Sequence, residues 1–134
     1  MAKGQGEIVV IDKRHPEKAE AVIEESVRRL RKSMAAERIY LFGSRARGEA
    51  NNDSDYDFLV VIHDSPLPRY KREQQAYQSL WGLRVAKDVL VFTHKEFDEG
   101  LAVVSSLPAT VVRGGKLLYG RQETTRSRRL DSEG

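Results

Sequence analysis

The chain has 134 residues, of which 40% are hydrophobic and 32% charged, a balance typical of one globular domain rather than of a fibre or a disordered segment. Its 23 basic and 20 acidic residues leave a net charge of +3, which does not by itself select a polyanionic partner. The absence of cysteine excludes disulfides and thiolate metal sites. The apolar runs are shorter than the roughly 20 residues of a membrane span, and the first residues lack a signal core, so we expect a cytoplasmic protein.

Strands and helices are predicted to alternate along the chain. Residues 7–11 favour a short strand, and an amphipathic helix follows over residues 16–36, with a proline suited to its first turn. Apolar residues recur at helical spacing and predict one buried face of this helix: Ala19, Val22, Ile23, Val27, Leu30 and Met34. Residues 38–42 predict a second strand. Residues 57–62 predict a third, and because its apolar run is continuous, we expect it to be covered on both faces.

The second half of the chain continues the alternation. A helix is predicted over residues 69–83, a strand over residues 85–93, and short helices over residues 94–100 and 107–113. Residues 116–119 add an edge strand. Strands that alternate with helices indicate an α/β layer fold.

The domain organisation is expected to be simple. We predict a single domain over residues 1–120, with its core at residues 38–119. Residues 121–134 contain several arginines and no apolar stripe, so we expect them to form a disordered tail.

The stretch FGSRARGEANNDSDYDFLVV, residues 42–61, resembles two known motifs only in part. Gly43 and Gly48 have the spacing of a phosphate-binding P-loop, but Glu49 and Ala50 stand where that loop needs a lysine and a hydroxyl residue. The alternating aspartates imitate the start of a calcium-binding EF-hand, but Phe58 replaces its turn glycine. Neither motif is complete. Residues 51–54 instead predict a turn stabilised by Asn and Asp side chains.

Asp55 and Asp57 are not explained by that turn. Two residues apart on an extended chain, their carboxylates face the same side at a spacing of about 6 to 7 Å. Like charges brought together either take up protons or gather a cation. Mg²⁺ prefers oxygen ligands and also accepts phosphate oxygens, so the pair indicates phosphoryl or nucleotidyl chemistry.

Asp88 is a candidate third acid. It begins another predicted strand, in which Leu90 and Phe92 share its face, so it is polar only at the strand end, where the sites of open sheets collect. Taken alone, Asp88 is equally explained as a turn aspartate that introduces the strand.

Taken in order, the segments LFGSRARG, SDYDFLVV and KDVLVF resemble the nucleotidyltransferase superfamily that includes DNA polymerase beta, and most closely its minimal prokaryotic members. The resemblance covers residues 39–119. It implies the nucleotidyltransferase fold, of α/β (α+β) class, in which helices flank a mixed twisted β-sheet.

The resemblance assigns a role to each acid. It implies that Asp55 and Asp57 hold Mg²⁺ against a nucleoside triphosphate. Asp88 is implied to be the third acid, which helps to bind the metal and prepares the acceptor hydroxyl. The implied reaction is an in-line displacement at the α-phosphorus, from which pyrophosphate leaves and a nucleoside monophosphate is transferred.

The resemblance also implies nucleotide-binding residues in the segment before the acids. Gly43 and Ser44 would cradle a phosphate through the backbone and the hydroxyl. Arg45 and Arg47 are further candidates for contact with the triphosphate, although an exposed arginine in a turn is often only solvated.

Small family members resemble the antitoxin half of modules whose other half is a helical HEPN-domain protein, often an RNase toxin. This implies transfer of AMP from ATP to a tyrosine of the partner, which silences the toxin. Two alternatives stay open: a binding module that neutralises its partner without catalysis, and nucleotidyl transfer to a small molecule such as an aminoglycoside, for which a homodimer could build a shared pocket. The three intact acids favour an enzyme, since a pure binder has no need of them.

Overall fold

The secondary structure follows the predicted alternation. The computed structural model describes residues 16–51 and 53–121, so the predicted strand at 7–11 and nearly all of the tail at 121–134 lie outside the described residues. The elements in chain order are α1 (Pro16–Met34), β1 (Arg38–Phe42), α2 (Ser44–Arg47), β2 (Tyr56–Ile62), α3 (Arg69–Ser79), β3 (Lys87–Thr93), α4 (His94–Leu101), α5 (Leu107–Gly114) and β4 (Lys116–Tyr119). α3 ends a turn earlier, and β3 begins slightly later, than the sequence predicts.

The four strands form one mixed sheet in the order β3-β2-β1-β4. β1 runs antiparallel to both β2 and β4, whereas β2 and β3 are parallel and are joined by α3. β2 is therefore an internal strand, and every side chain from Phe58 to Ile62 is buried, as its continuous apolar run predicts. The α/β class with a mixed sheet flanked by helices is confirmed.

Helices α1 and α3 cover one face of the sheet. Ile39, Phe58 and Val60 point to this face and pack with Ala76 of α3 and with Leu80, the residue after that helix. The apolar face predicted for α1 is confirmed, because its members are buried or packed against the same cluster: Ala19, Val22, Ile23, Val27, Leu30 and Met34.

Helices α4 and α5 cover the opposite face. Tyr40, Leu59 and Val61 pack there against Phe97 of α4 and Val111 of α5, and the rings of Tyr40 and Phe97 stack with centroids 5.5 Å apart. The sheet is thus the middle of three layers. Within the described ranges, no helix is both long and apolar enough to cross a membrane.

Side chains of α3 cover the outer edge of β3. Arg72, which is only 5% exposed, donates to the carbonyl of Val91 at 3.0 Å and binds both carboxylate oxygens of Glu96 at 2.8 and 2.9 Å. The hydroxyl of Tyr77 accepts the N–H of Val89 at 3.0 Å. Because an open strand edge is a template for unwanted pairing, these contacts protect it.

A cluster around Glu37 lies near the carboxyl ends of β2 and β3. The Glu37 carboxylate is 2.8 Å from Nδ1 of His94 and 3.3 Å from Nδ1 of His63, and Nε2 of His94 is 3.0 Å from Oδ2 of Asp98. His94 can donate to both carboxylates only as the imidazolium. The hydrogen bond to Glu37 raises the pKa of His94, so the start of α4 is tied electrostatically to the segment before β1.

Candidate active site

Asp57 and Asp88 are direct neighbours in the sheet. Each is the second residue of its strand, and the two are matched in the parallel pair of β2 and β3. Matched residues of neighbouring strands lie about 5 Å apart and point to the same face. Leu59 and Leu90, two residues further along, pack under α4 and α5, so both acids lie on that face. The two acids are distant in sequence, and the fold brings them together.

The acids lie at the amino ends of β2 and β3. In open parallel sheets, sites form at the carboxyl ends of the strands. Asp57 and Asp88 lie at the opposite end, so the reason for which the sequence analysis selected Asp88 does not apply here. The difference arises from β1, which is antiparallel and pairs Phe42 with Asp57. The carboxyl end of β1, and the turn after it, therefore lie at the same end of the sheet as the acids.

Asp57 carries the electrostatic signature of a shared acidic site. Burial raises its pKa, and the negative charges of Asp88 and Asp55 raise it further, whereas the positive charge of Arg47 lowers it. Asp55 immediately precedes β2, two residues before Asp57, which is the spacing that places both carboxylates on one side. The three acids predicted from the sequence therefore influence one another.

The donor set fits Mg²⁺. Across residues 16–51 and 53–121, no three acidic or histidine side chains converge tightly enough to form a ready-made metal cage. Mg²⁺ does not require one, since it is usually held by one or two carboxylates together with waters and substrate phosphates. Asp57 and Asp88, matched across two strands, are two such carboxylates, and the raised pKa of Asp57 reflects negative charge that a cation would relieve.

Gly43 brings the backbone against the carboxylate of Asp57. It has a φ of 76°, in the left-handed region, and a Cβ at this position would overlap Oδ2 of Asp57. Ser44 begins α2, the short helix that follows Gly43. In this turn the N–H groups of Ala46 and Arg47 donate to the carbonyl of Gly43 at 3.1 and 3.2 Å, so a phosphate would be bound by the N–H groups before them. The phosphate-binding roles of Gly43 and Ser44 remain predictions, and the structure places Gly43 against Asp57 with Ser44 directly after it.

Arg45 is held in the loop that precedes β2. Its guanidinium lies 3.9 Å from the ring centroid of Tyr56 and donates to the carbonyls of Ser54 at 3.1 Å and Asn51 at 3.4 Å. The N–H of Asp53 donates to Oδ1 of Asn51 at 2.8 Å, which confirms the predicted Asx-type turn, apart from Asn52, which lies outside the described residues. In this position Arg45 orders the loop.

Arg47 lies close enough to the acids for its charge to act on Asp57. It pairs with Glu49 at 2.9 Å, and its charge lowers the pKa of Asp57. The salt bridge is exposed and therefore weak, so Arg47 can exchange Glu49 for another anion at little cost. Contact of Arg45 or Arg47 with a triphosphate remains a prediction, and the geometry favours Arg47.

Sequence reasoning missed Tyr77. Its hydroxyl donates to Oδ1 of Asp88 at 2.7 Å. Tyr77 lies on α3, and its position in the sequence indicates only helical spacing, so no local signal identifies this contact.

Two clefts lie between α1 and β4, away from the acids. Their volumes are about 490 and 290 Å³, and the larger is lined by Arg28, Arg31, Lys32, Ala35, Ala36 and Tyr119. None of the predicted site residues lines either cleft. The cationic surface of α1 is therefore separate from the candidate active site.

Comparison with known proteins points to one family. The nucleotidyltransferase domain family matches residues 21–113, which include α2, all three acids and most of both helical layers.

Individual proteins similar to the chain include an adenylyltransferase and a toxin-antitoxin protein of known structure. The protein adenylyltransferase MntA of Thermococcus cleftensis is 36% identical over 70 residues, which make up 52% of this chain and 71% of that protein. Among solved structures, a mutant of the toxin-antitoxin MntA-HpeT superimposes with a TM-score of 0.51 at 25% identity, covering 81% of this chain and 77% of that chain.

Proposed function

The chain belongs to the nucleotidyltransferase domain family, and from this premise we propose that it transfers AMP from ATP to a hydroxyl group of a partner protein. The observation that carries the proposal is the matched pair of Asp57 and Asp88, with the backbone of Gly43 against the Asp57 carboxylate. This arrangement sets two anionic ligands beside a helix start suited to phosphate. We assign the activity to one domain, residues 1–120.

In this proposal the acids bind the metal that accompanies the triphosphate, and the turn after β1 binds one of its phosphates. Asp55 and Asp57, helped by Asp88, would hold Mg²⁺, which would neutralise charge on the triphosphate. Gly43 and Ser44 bind a phosphate through N–H groups and the hydroxyl. Arg47, and less directly Arg45, adds positive charge to the same anion.

Asp88 acts on the acceptor. Its carboxylate accepts a hydrogen bond from the acceptor hydroxyl and orients the oxygen toward the α-phosphorus. The new bond joins that oxygen to the α-phosphorus, the bond from the α-phosphorus to the bridging oxygen breaks, and pyrophosphate leaves with that oxygen. The hydroxyl proton passes to the carboxylate and then to solvent.

The proposed acceptor is a tyrosine of a HEPN-domain toxin, and the chain would act as its antitoxin. Support comes from the similarity to a protein named as an adenylyltransferase of proteins, and from the fold shared with a toxin-antitoxin complex.

A transfer assay tests the proposal. The chain is incubated with ATP labelled at the α-phosphate, Mg²⁺ and the product of the neighbouring gene. We expect the label to appear on that partner. Asp57→Asn should reduce the rate by about 100-fold or more, because a ligand of the metal that stabilises the charge of the transition state is lost. Asp64→Asn, which removes the same charge beyond the other end of β2, is the matched control and should transfer normally.

Three results would contradict the proposal. Toxin neutralisation that persists in Asp57→Asn without any label would indicate a binding module. Label on an aminoglycoside but not on protein would indicate a small-molecule enzyme. Labelling that survives Asp57→Asn unchanged would place the chemistry elsewhere.

A further inference from the structure

The carboxylate of Asp88 is held by a side chain from another layer. Tyr77 of α3 donates its hydroxyl proton to Oδ1 of Asp88 at 2.7 Å, and the same hydroxyl accepts the N–H of Val89 at 3.0 Å. A phenol has a single proton, and the Val89 N–H can only donate. The two contacts therefore fix the direction of the Tyr77 hydroxyl, and its proton has to point at Asp88.

Asp88 needs such a restraint. It is exposed at the start of an edge strand, and it is matched with Asp57, whose carboxylate carries the same charge. Repulsion would turn a free carboxylate at this position toward solvent. The hydrogen bond from Tyr77 satisfies Oδ1 and leaves Oδ2 available to another group.

Tyr77 lies on α3, which is held against β3 by hydrogen bonds from other side chains. One helical turn before it, Glu73 accepts the N–H of Val91 at 3.4 Å, and Arg72 binds the carbonyl of Val91 and the carboxylate of Glu96. α3 is thereby fixed along β3 at several points. Tyr77 as a whole residue is 37% exposed, so its side chain is only partly covered by the protein.

We propose that Tyr77 is a positioning residue for nucleotidyl transfer: its hydroxyl fixes the orientation of Asp88, so that one carboxylate oxygen faces the metal and the acceptor hydroxyl. This inference rests on the proposed function. The competing explanation is that Tyr77 only closes the edge of β3 through Val89. The two explanations differ in whether removal of the Tyr77 hydroxyl lowers kcat by way of Asp88.

A double-mutant cycle separates them. Tyr77→Phe is measured alone and together with Asp88→Asn, for kcat, for the KM of ATP and for thermal unfolding. We expect Tyr77→Phe alone to lower kcat by about 10- to 100-fold with little change in KM, which is the usual effect of removing a group that orients a ligand. In the Asp88→Asn background the same change should have almost no further effect on kcat.

Tyr70→Phe is the matched control. Tyr70 lies on the same helix and is 61% exposed, so we expect its variant to keep the kcat of the unmodified chain. A kcat of Tyr77→Phe within twofold of the control would overturn the proposal. Equal losses of kcat in both Asp88 backgrounds would also overturn it, because Tyr77 would then not act through Asp88.

Metal binding supplies a readout that does not depend on turnover. Binding of Mn²⁺ alone is followed by electron paramagnetic resonance, with Mn²⁺ replacing Mg²⁺. We expect Tyr77→Phe to weaken this binding by about 10-fold and Tyr70→Phe to leave it unchanged. Unchanged or tighter binding in Tyr77→Phe would reject the positioning role. If the unmodified chain transferred no nucleotide to any acceptor, the proposed function would fail, and the Mn²⁺ comparison would still decide the role of Tyr77.

Discussion

Gly43 combines two constraints at one position. Its φ of 76° and ψ of −161° define a backbone region that is essentially restricted to glycine and costs another residue about 1 to 3 kcal/mol, and a side chain on its α-carbon would meet the Asp57 carboxylate. Gly48, at the other end of α2, has a similar φ of 74° but open space around it. The two glycines bracket the same helix and share only a positive φ, since Gly48 lies in the αL region.

We therefore expect Gly43→Ala to lower the melting temperature more than Gly48→Ala, because Gly43 adds the clash with the Asp57 carboxylate and a ψ of −161° to the positive φ that both glycines share. Only Gly43→Ala should abolish nucleotidyl transfer, because its methyl group displaces the Asp57 carboxylate. Calorimetry and the labelled-ATP assay measure the two effects. Equal activity in the two variants would show that contact with Asp57 is unimportant.

At the junction of α3, β3 and α4, the buried Arg72 pairs with the half-exposed Glu96. Arg72 is almost fully enclosed, and its bidentate partner Glu96 also accepts the N–H of Thr93, which caps α4. The hydrogen bond to Arg72 lowers the pKa of Glu96 from 4.5 to about 2. Loss of the Glu96 charge would leave a buried guanidinium without its counter-charge, which is more harmful than removing both partners.

Glu96→Gln should lower the melting temperature at neutral pH. The Glu96 side chain is 42% exposed, so water reduces the loss, and we expect a change of about 3 to 5 °C for roughly 1 kcal/mol. A lowered pKa means that the stabilisation is present above pH 4.5 and is lost as the pH falls toward 2. The difference between the variant and the unmodified chain should therefore shrink in acid.

Glu99→Gln is the control for this prediction. Glu99 pairs with Lys95 on the exposed side of the same helix, where ion pairs contribute little. Thermal unfolding between pH 2.5 and pH 7 measures both variants. A loss in Glu96→Gln that is independent of pH would mean that packing, and not charge, sets its effect.

At the scale of the whole molecule, the sequence is informative where the pattern is local. The continuous apolar run of β2 predicts an internal strand, and the two-residue step predicts that Asp55 and Asp57 share a side. The pairing of Asp57 with Asp88 depends on the register of two strands separated by a helix, which no local pattern encodes. The contact of Tyr77 with Asp88 and the stacking of Arg45 on Tyr56 depend on tertiary packing in the same way.

The cluster around Glu37 makes the stability of the fold depend on pH. Near the carboxyl ends of β2 and β3, the hydrogen bond to Glu37 and the charge of Asp98 raise the pKa of His94 against the opposing effects of burial and Arg38, so the imidazolium stabilises the fold below pH 6.5. That stabilisation is lost as the pH rises through the raised pKa. His94→Asn should lower the melting temperature at pH 5.5, and the difference should close above pH 8.

His63→Asn provides the comparison for His94. Its side chain is 88% exposed and lies 3.3 Å from Glu37, so we expect little change at any pH. Calorimetry over pH 5 to 9 measures both variants. A deficit in His94→Asn that stays constant over this range would argue against a stabilising imidazolium.

The match between Asp57 and Asp88 also predicts which changes of chain length the protein tolerates. A shift of β3 by one position would set Lys87 or Val89 opposite Asp57 and turn Asp88 to the other face. Insertions or deletions in the connection at residues 63–68 leave the strand pairing intact, and loop closure costs grow only slowly with length. We therefore expect changes of length in this connection to be tolerated, whereas a single inserted residue inside β3 would separate the acids.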